Sequence, residues 1–192
     1  MSRLITNSIR STSASADAIT FDNSGKPAFP NGGAGKILQV VSTTKTDTFT
    51  TTASPSSPAA VTGLSCSITP SSSSNKVLIT VNVGSCSTTN GDYAAYFHLY
   101  KGGSDISGAT ADAAGSRTRA AFAARGSSYA RYTVASMTYL DSPATTSATT
   151  YQLYLSKEVN GGSAVINRSG HDNDQEAYPR TISTFTVMEI AA

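Results

Sequence analysis

The stretch from residue 61 to residue 83, VTGLSCSITPSSSSNKVLITVNV, constrains the fold more than any other. Leu64, Cys66 and Ile68 fall on one side of an extended chain, and so do Val77, Ile79, Val81 and Val83. Successive side chains of a strand point to opposite faces, so a period of two marks a strand with one buried face. Between the runs lies PSSSSN at 70–75, which by composition resembles a linker. Pro70 cannot donate to a ladder and ends the first strand. A connection this short is ordinary within a domain. Neither run can bury its apolar face alone, because an isolated hairpin is marginal. The sequence therefore predicts a hairpin inside one sandwich, with the serines at its tip, and no domain boundary there.

The alternation recurs along the chain. KILQVVS at 36–42 carries Ile37, Leu38, Val40 and Val41 and is expected to be a largely buried strand. KTDTFTTT at 45–52 is expected to be an exposed strand around Phe49. YAAYFHLYK at 93–101 places Tyr93, Ala95, Phe97 and Leu99 on one face and Tyr96, His98 and Tyr100 on the other. RTRAAFAA at 117–124 is a weaker candidate, YARYTVASMTYL at 129–140 a long strand, and AVIN at 164–167 a short one. TYQLYLS at 150–156 aligns Tyr151, Leu153 and Leu155, and TISTFTVMEI at 181–190 alternates throughout. Asn90-Gly91, Gly102-Gly103 and Gly161-Gly162 lie between strands and supply the positive φ of tight turns. The Ala-rich run 109–126 is broken by Gly115 and has no apolar stripe, so no helix is expected there. About ten strands and no helix predict an all-β chain, a jelly-roll-like antiparallel β-sandwich spanning residues 36–192.

Residues 1–35 have little apolar content beyond Ile9, Ile19, Phe21 and Phe29. AITFDNSGKPAF suits a small hairpin turned at Asn23-Ser24-Gly25, but such a segment has no core and is ordered by another chain or not at all. NGGAG at 31–35 is the expected hinge between this extended segment and the sandwich.

Only 14% of residues are charged and the net charge is +2, against roughly 25% charged in an average domain. The cations are scattered, which leaves no footprint for nucleic acid. No apolar run reaches the length of a signal peptide or a membrane span, so assembly in a cytoplasm without membrane insertion is expected. Cys66, on an apolar strand face, is expected to be a buried thiol. Two cysteines without neighbouring histidines make neither a disulfide framework nor a zinc site.

ITFDNSGKPAFP, GKILQVVSTTKTDTFTTT, VTGLSCSITPSSSSNKVLITVNV, RYTVASMTYLDSPATTSATTYQLYL, INRSG and the final ISTFTVMEIAA follow one another in this chain. In that order they resemble small structural proteins of tailed bacteriophages, especially phages of aquatic bacteria, that serve as tail fibres or virion appendages. The resemblance implies a jelly roll that assembles as a homotrimer on the virion. The N-terminal segment would dock on other virion proteins or run along the trimer axis, and the globular end would meet the host surface. The expected function is thus a structural and adhesive one, a tail fibre or fibre-knob subunit contributing to host attachment. A capsid decoration or head fibre is the alternative, and a free glycan-binding protein the second.

No nucleophile elbow, phosphate loop or dinucleotide fingerprint is present, so neither a reaction nor a cofactor is expected. The most polar cluster, NRSGHDNDQEAYPR at 167–180, supplies Arg168, His171, Asp172 and Asp174, which can hydrogen-bond a host-surface sugar and are the receptor-loop candidates. Asp172, Asp174 and Glu176 alternate as calcium ligands do, but lack the rest of a calcium loop. Tyr96, His98, Tyr100 and Tyr154 fall on strand faces turned from the core and are the trimer-interface candidates. Deleting residues 1–35 is expected to leave a folded sandwich, read by circular dichroism, that no longer joins particles. Loss of the fold would place the segment inside the shared core instead.

Overall fold

The structure, a computed structural model, describes residues 8–10, 19–21, 23–25, 27–28, 36–126 and 132–192. Three short strands, β1 (Ser8–Ile9), β2 (Ile19–Phe21) and β3 (Pro27–Ala28), form an antiparallel sheet of their own in that order. Thr20 faces Ala28 and Phe21 faces Pro27, and Gly25, at φ 78°, helps turn the chain between them. The hairpin expected in AITFDNSGKPAF is present. The expected hinge at 31–35 lies outside the described residues.

The sandwich is built from β4 (Ile37–Lys45), β5 (Phe49–Thr51), β6 (Ala59–Ile68), β7 (Lys76–Thr88), β8 (Ala94–Lys101), β9 (Ser104–Asp105), β10 (Phe122–Arg125), β11 (Thr133–Asp141), β12 (Thr149–Lys157), β13 (Ala164–Ile166) and β14 (Ser183–Ile190). Along one side of β7, β14 pairs with Lys76–Val83 and β13 with Cys86–Thr88, so the two share one row. β4 and β5 share the row beyond them, and β11 takes the other side of β7. The second sheet runs β10-β8-β12-β6, with β9 closing a tight hairpin on β8 through Gly102 and Gly103, both at positive φ. Counted along the chain, the first row pairs with the last, the second with the last but one, and so inward to β8 and β10. That is a long ribbon folded back on itself and rolled, the jelly roll the sequence predicts.

β6 and β7 do not pair with each other. β6 belongs to one sheet and β7 to the other, so the expected hairpin is corrected to an arch that carries the chain across the core. Leu64, Cys66 and Ile68 meet Val77, Ile79, Val81 and Val83 face to face in one cluster with Phe97, Leu153 and Phe185. Alternation records only that each strand has an inner face. It does not distinguish a neighbour beside the strand from one opposite it. Val61 and Leu64 are both buried although three residues apart. Gly63, at φ 83°, occupies the register shift between β6 and β12 that makes this possible.

Other expectations are also corrected. KILQVVS is not a buried strand: Ile37, Leu38 and Val40 are exposed, and only Val41 packs on the core. β4 is an edge strand, and its outward positions carry aliphatic side chains. KTDTFTTT is not one strand, since Lys45 ends β4 and only Phe49–Thr51 extend, with Phe49 half-buried against the core. Tyr93 precedes β8, and positive φ falls on Asp92 and not on Gly91. The weak candidate at 117–124 is a strand only from Phe122. The first residues of YARYTVASMTYL lie outside the described residues, and the rest form β11.

The serine arch is held from below. Glu189, on the inner face of β14, is buried, and its Oε1 accepts the Ser71 N–H at 2.6 Å, the Ser71 hydroxyl at 2.7 Å and Asn75 Nδ2 at 2.6 Å. Burial raises the pKa of this carboxyl, but the bonds from Asn75 and Ser71 outweigh it and hold the pKa below the ordinary value. A depressed carboxyl stabilises the fold above its unfolded pKa of about 4.3, and that contribution is lost as pH falls through the folded value. Glu189→Ala is expected to cost about 2–3 kcal/mol, measured by urea unfolding at pH 7, because three donors lose a charged acceptor. Glu189→Gln is expected to remove this part of the acid-limb slope.

Candidate functional site

The outer face of the β10-β8-β12-β6 sheet concentrates the aromatic side chains. His98 sits directly opposite Tyr154, Tyr96 opposite Ser156, and Tyr100 opposite both Gln152 and, on its other side, Asp105. Tyr100 and Tyr154 stack with ring centroids 3.8 Å apart. The four residues read from sequence as interface candidates therefore form one continuous patch. The rings are half-buried, but His98 is not available as a contact residue: it is buried, and its Nε2 lies 2.9 Å from the Ser156 hydroxyl. Burial lowers the His98 pKa, partly offset by Asp105. A serine beside a histidine has the outline of a nucleophile and base, but Ser156 is fully buried, and a carbonyl carbon has no approach to its oxygen.

An excursion of the chain shapes this face. Ile106 N–H bonds to Leu99 O and Ala121 N–H to Phe97 O, so the segment between them leaves the edge of β8 and returns to it almost where it left. At its tip, Gly115, at φ 62°, and bonds from Arg117 N–H and Nη1 to Ala114 O fold a turn. That turn, the β12–β13 turn and the start of β8 border an open cleft of about 630 Å³. Tyr93 and Tyr96 give it aromatic surface, Arg117 and Thr118 come from the excursion, and Glu158 and Asn160 from the β12–β13 turn. Glu158 is half-buried. Its Oε2 accepts the Ala94 N–H at 2.8 Å and lies 3.7 Å from Arg125 Nη1, while Oε1 takes no bond from a described residue. Asn160, held at φ 67°, is tied to Asn90 by a 2.7 Å bond from Asn90 Nδ2 to its carbonyl. The cleft thus sets tyrosine rings beside a guanidinium and a carboxylate whose charges offset. That composition suits a neutral ring with an apolar face and hydroxyl edges.

The receptor-loop candidates fare differently. Arg168 is buried, with Nη1 on the Ser169 and Gly170 carbonyls, Nη2 3.3 Å from Thr50 Oγ1, and Asp172 at 3.7 Å. It holds its own loop and is withdrawn from a ligand, a correction to the reading of the sequence. Asp172 is engaged by Arg180 at 2.5 Å. His171 packs at a tilt on Tyr178, and Asp174 is exposed in a depression of about 370 Å³ that Asp172, Tyr178 and Arg180 also line. Among the described residues no three histidine, cysteine, aspartate or glutamate side chains gather as a metal would require. Sequence reasoning missed Tyr93, Arg117, Glu158 and Asn160, which stand in three separate stretches and meet only through the rolled topology. Asn160-Gly161-Gly162 was visible as a turn but carried no sign of what it would face.

Cys66 and Cys86 are both buried free thiols, bonded to the Phe185 and Thr133 carbonyls. Burial pushes Cys86 up to about 12. Among the described residues no helix is long and apolar enough to cross a membrane. No protein family and no curated protein matches this chain.

A histidine whose folded pKa lies below its unfolded value of about 6.5 binds fewer protons folded than unfolded as pH drops. His98 therefore supports the fold fully above that value, and its contribution declines as pH falls from there toward the folded pKa. Thermal unfolding followed from pH 7.5 to pH 5 is expected to show this decline, and His98→Gln to flatten it. An equal slope in both proteins would assign the decline to other groups.

Proposed function

We propose that this chain is a structural and adhesive virion protein, the subunit of a fibre or fibre knob that meets the host surface, docks on the particle through residues 1–35 and performs no reaction. The observation that carries the reading is the cleft between Tyr93, Tyr96, Arg117, Glu158 and Asn160. It gives a jelly roll of this size a place to hold a surface saccharide. The bacteriophage resemblance of the sequence supplies the setting. In an assembly of several copies the cleft would be repeated once per copy, and avidity would turn a weak site into firm attachment.

Two measurements test it. The full chain is expected to bind the host's own surface polysaccharide in titration calorimetry, with Tyr96→Ala weakening binding roughly tenfold, about 1.4 kcal/mol, and leaving the melting temperature nearly unchanged. Antibody against the chain is expected to label the tails of particles in negative stain. Label confined to the head would move the chain to capsid decoration, and absence of polysaccharide binding would remove the adhesive role.

A further inference from the structure

The other sheet has an outer face of opposite character. Register places Val40 beside Met188, Met188 beside Leu78, and Leu78 beside Leu140. All four point away from the core, so an aliphatic row crosses the whole sheet from edge to edge. Val40 is 56% exposed and Leu140 52%. The next row outward is Ser42, Thr186, Thr80 and Thr138, a line of hydroxyls in the same register. The row after it is Thr44, Thr184, Asn82 and Ser136. Ile37 and Ile190 extend the aliphatic end. On these strands the one charged side chain that points outward is Lys76, whose Nζ donates to Ser142 Oγ at 2.8 Å. The face stops at Gly84, where the Ile182 carbonyl fills the place a Cβ would occupy.

We infer that this face, on β4, β14, β7 and β11, is where copies of the chain meet. Its chemistry fits itself. A hydroxyl donates or accepts as its partner requires, and an aliphatic row meets an aliphatic row, so two identical faces bring together no like charges. Burial costs the hydroxyls little where they are already paired, as Ser42 and Thr186 are at 2.7 Å. Four strand rows at ~4.8 Å spacing and about eight residues at ~3.4 Å give a footprint of roughly 500 Å². Two copies would then cover roughly 1,000 Å², the lower bound for a specific interface. The inference deepens the reading of the chain as an assembled subunit by giving its self-contact a surface, and it leaves the tyrosine patch and cleft open to a ligand.

The test is the mass of the full chain in solution, by size exclusion with light scattering over a range of concentrations. The wild type is expected at a multiple of the 19.7 kDa chain. Val40→Glu with Leu140→Glu is expected at the mass of one chain, with its circular dichroism unchanged. Thr138→Arg, which alters the hydroxyl row on an edge strand and no inward contact, is expected to do the same and stands in if the first variant fails to fold. Tyr100→Ala is expected to keep the wild-type mass. A wild type that stays at one chain overturns the inference, as do folded face variants that keep the wild-type mass. So would dissociation caused only by Tyr100→Ala or only by removal of residues 1–35, which would put the contact on the tyrosine patch or on the N-terminal segment. Polysaccharide binding is read separately, so loss of either proposal leaves the other measurable.

Discussion

Each strand of this chain has one face that must leave water, and a single core receives them all. Leu64, Cys66 and Ile68 from one sheet and Val77, Ile79, Val81 and Val83 from the other are buried against each other. Fully burying one such side chain is worth about 1.5–3 kcal/mol, so a slip by one residue in either sheet would forfeit a whole row of them. Register is fixed by that requirement, and the register decides everything outside the core. It sets Tyr100 on Tyr154, brings Tyr96 to the mouth of the cleft, and lines up Val40, Met188, Leu78 and Leu140 on the opposite surface.

Three of the buried polar groups work at the corners of the core. Asn167, fully buried at φ 61°, donates from Nδ2 to the Lys45 and Asp47 carbonyls at 3.0 and 2.8 Å and accepts the Ser183 hydroxyl at 2.6 Å. It ties the end of β13 and the start of β14 to the corner where β4 gives way to β5. Asp141 does the corresponding work between the sheets, accepting the Tyr151 hydroxyl at 2.6 Å and Lys101 at 2.9 Å. Glu189 holds the serine arch. Each is a buried group with its bonds made, and each would cost more with a partner missing than it contributes when complete. These clamps explain how long polar excursions such as 167–182 start and finish at fixed points without disturbing the layers.

The layer structure was legible in the sequence because a period of two is a direct image of one-sided burial. The alternation at 61–69, 76–84, 150–156 and 181–190 placed strands where they are. What alternation does not encode is the identity of a strand's neighbour. PSSSSN therefore read as a hairpin tip when it is an arch, and Ile37, Leu38, Val40 and Val41 read as buried when three of them face out. A run of consecutive aliphatics is what a strand buried on both faces carries, and an exposed edge with an apolar outer face produces the same letters. The outward Tyr96, Tyr100 and Tyr154 were legible because they alternate with the apolar positions Phe97, Leu99, Leu153 and Leu155. The burial of His98 and Arg168 was not foreseen, because it depends on the Ser156 hydroxyl of the neighbouring strand and on the loop closing over Thr50. Tyr93, Arg117, Glu158 and Asn160 carry no motif in order, since the cleft they line exists only where three separated segments converge.

A two-layer sandwich has one inside and two outsides, and here the two outsides differ in kind. One carries stacked rings, a carboxylate, a guanidinium and a cleft about 630 Å³ in volume. The other is flat in composition, aliphatic and hydroxylic, with one cation already bonded. Surfaces that bind small polar ligands need relief and fixed charge, because orientation comes from a few placed groups. Surfaces on which copies meet need neither, and fixed charge there acts against them, since identical faces bring like charges together. If the tyrosine face were the self-contact, association would cover the cleft's approach at Tyr96. The aliphatic face has no such conflict. The proposed division of labour between the faces therefore rests on the charge each one carries, and the jelly roll keeps the two a full sandwich thickness apart, so that a ligand on one would leave the other untouched.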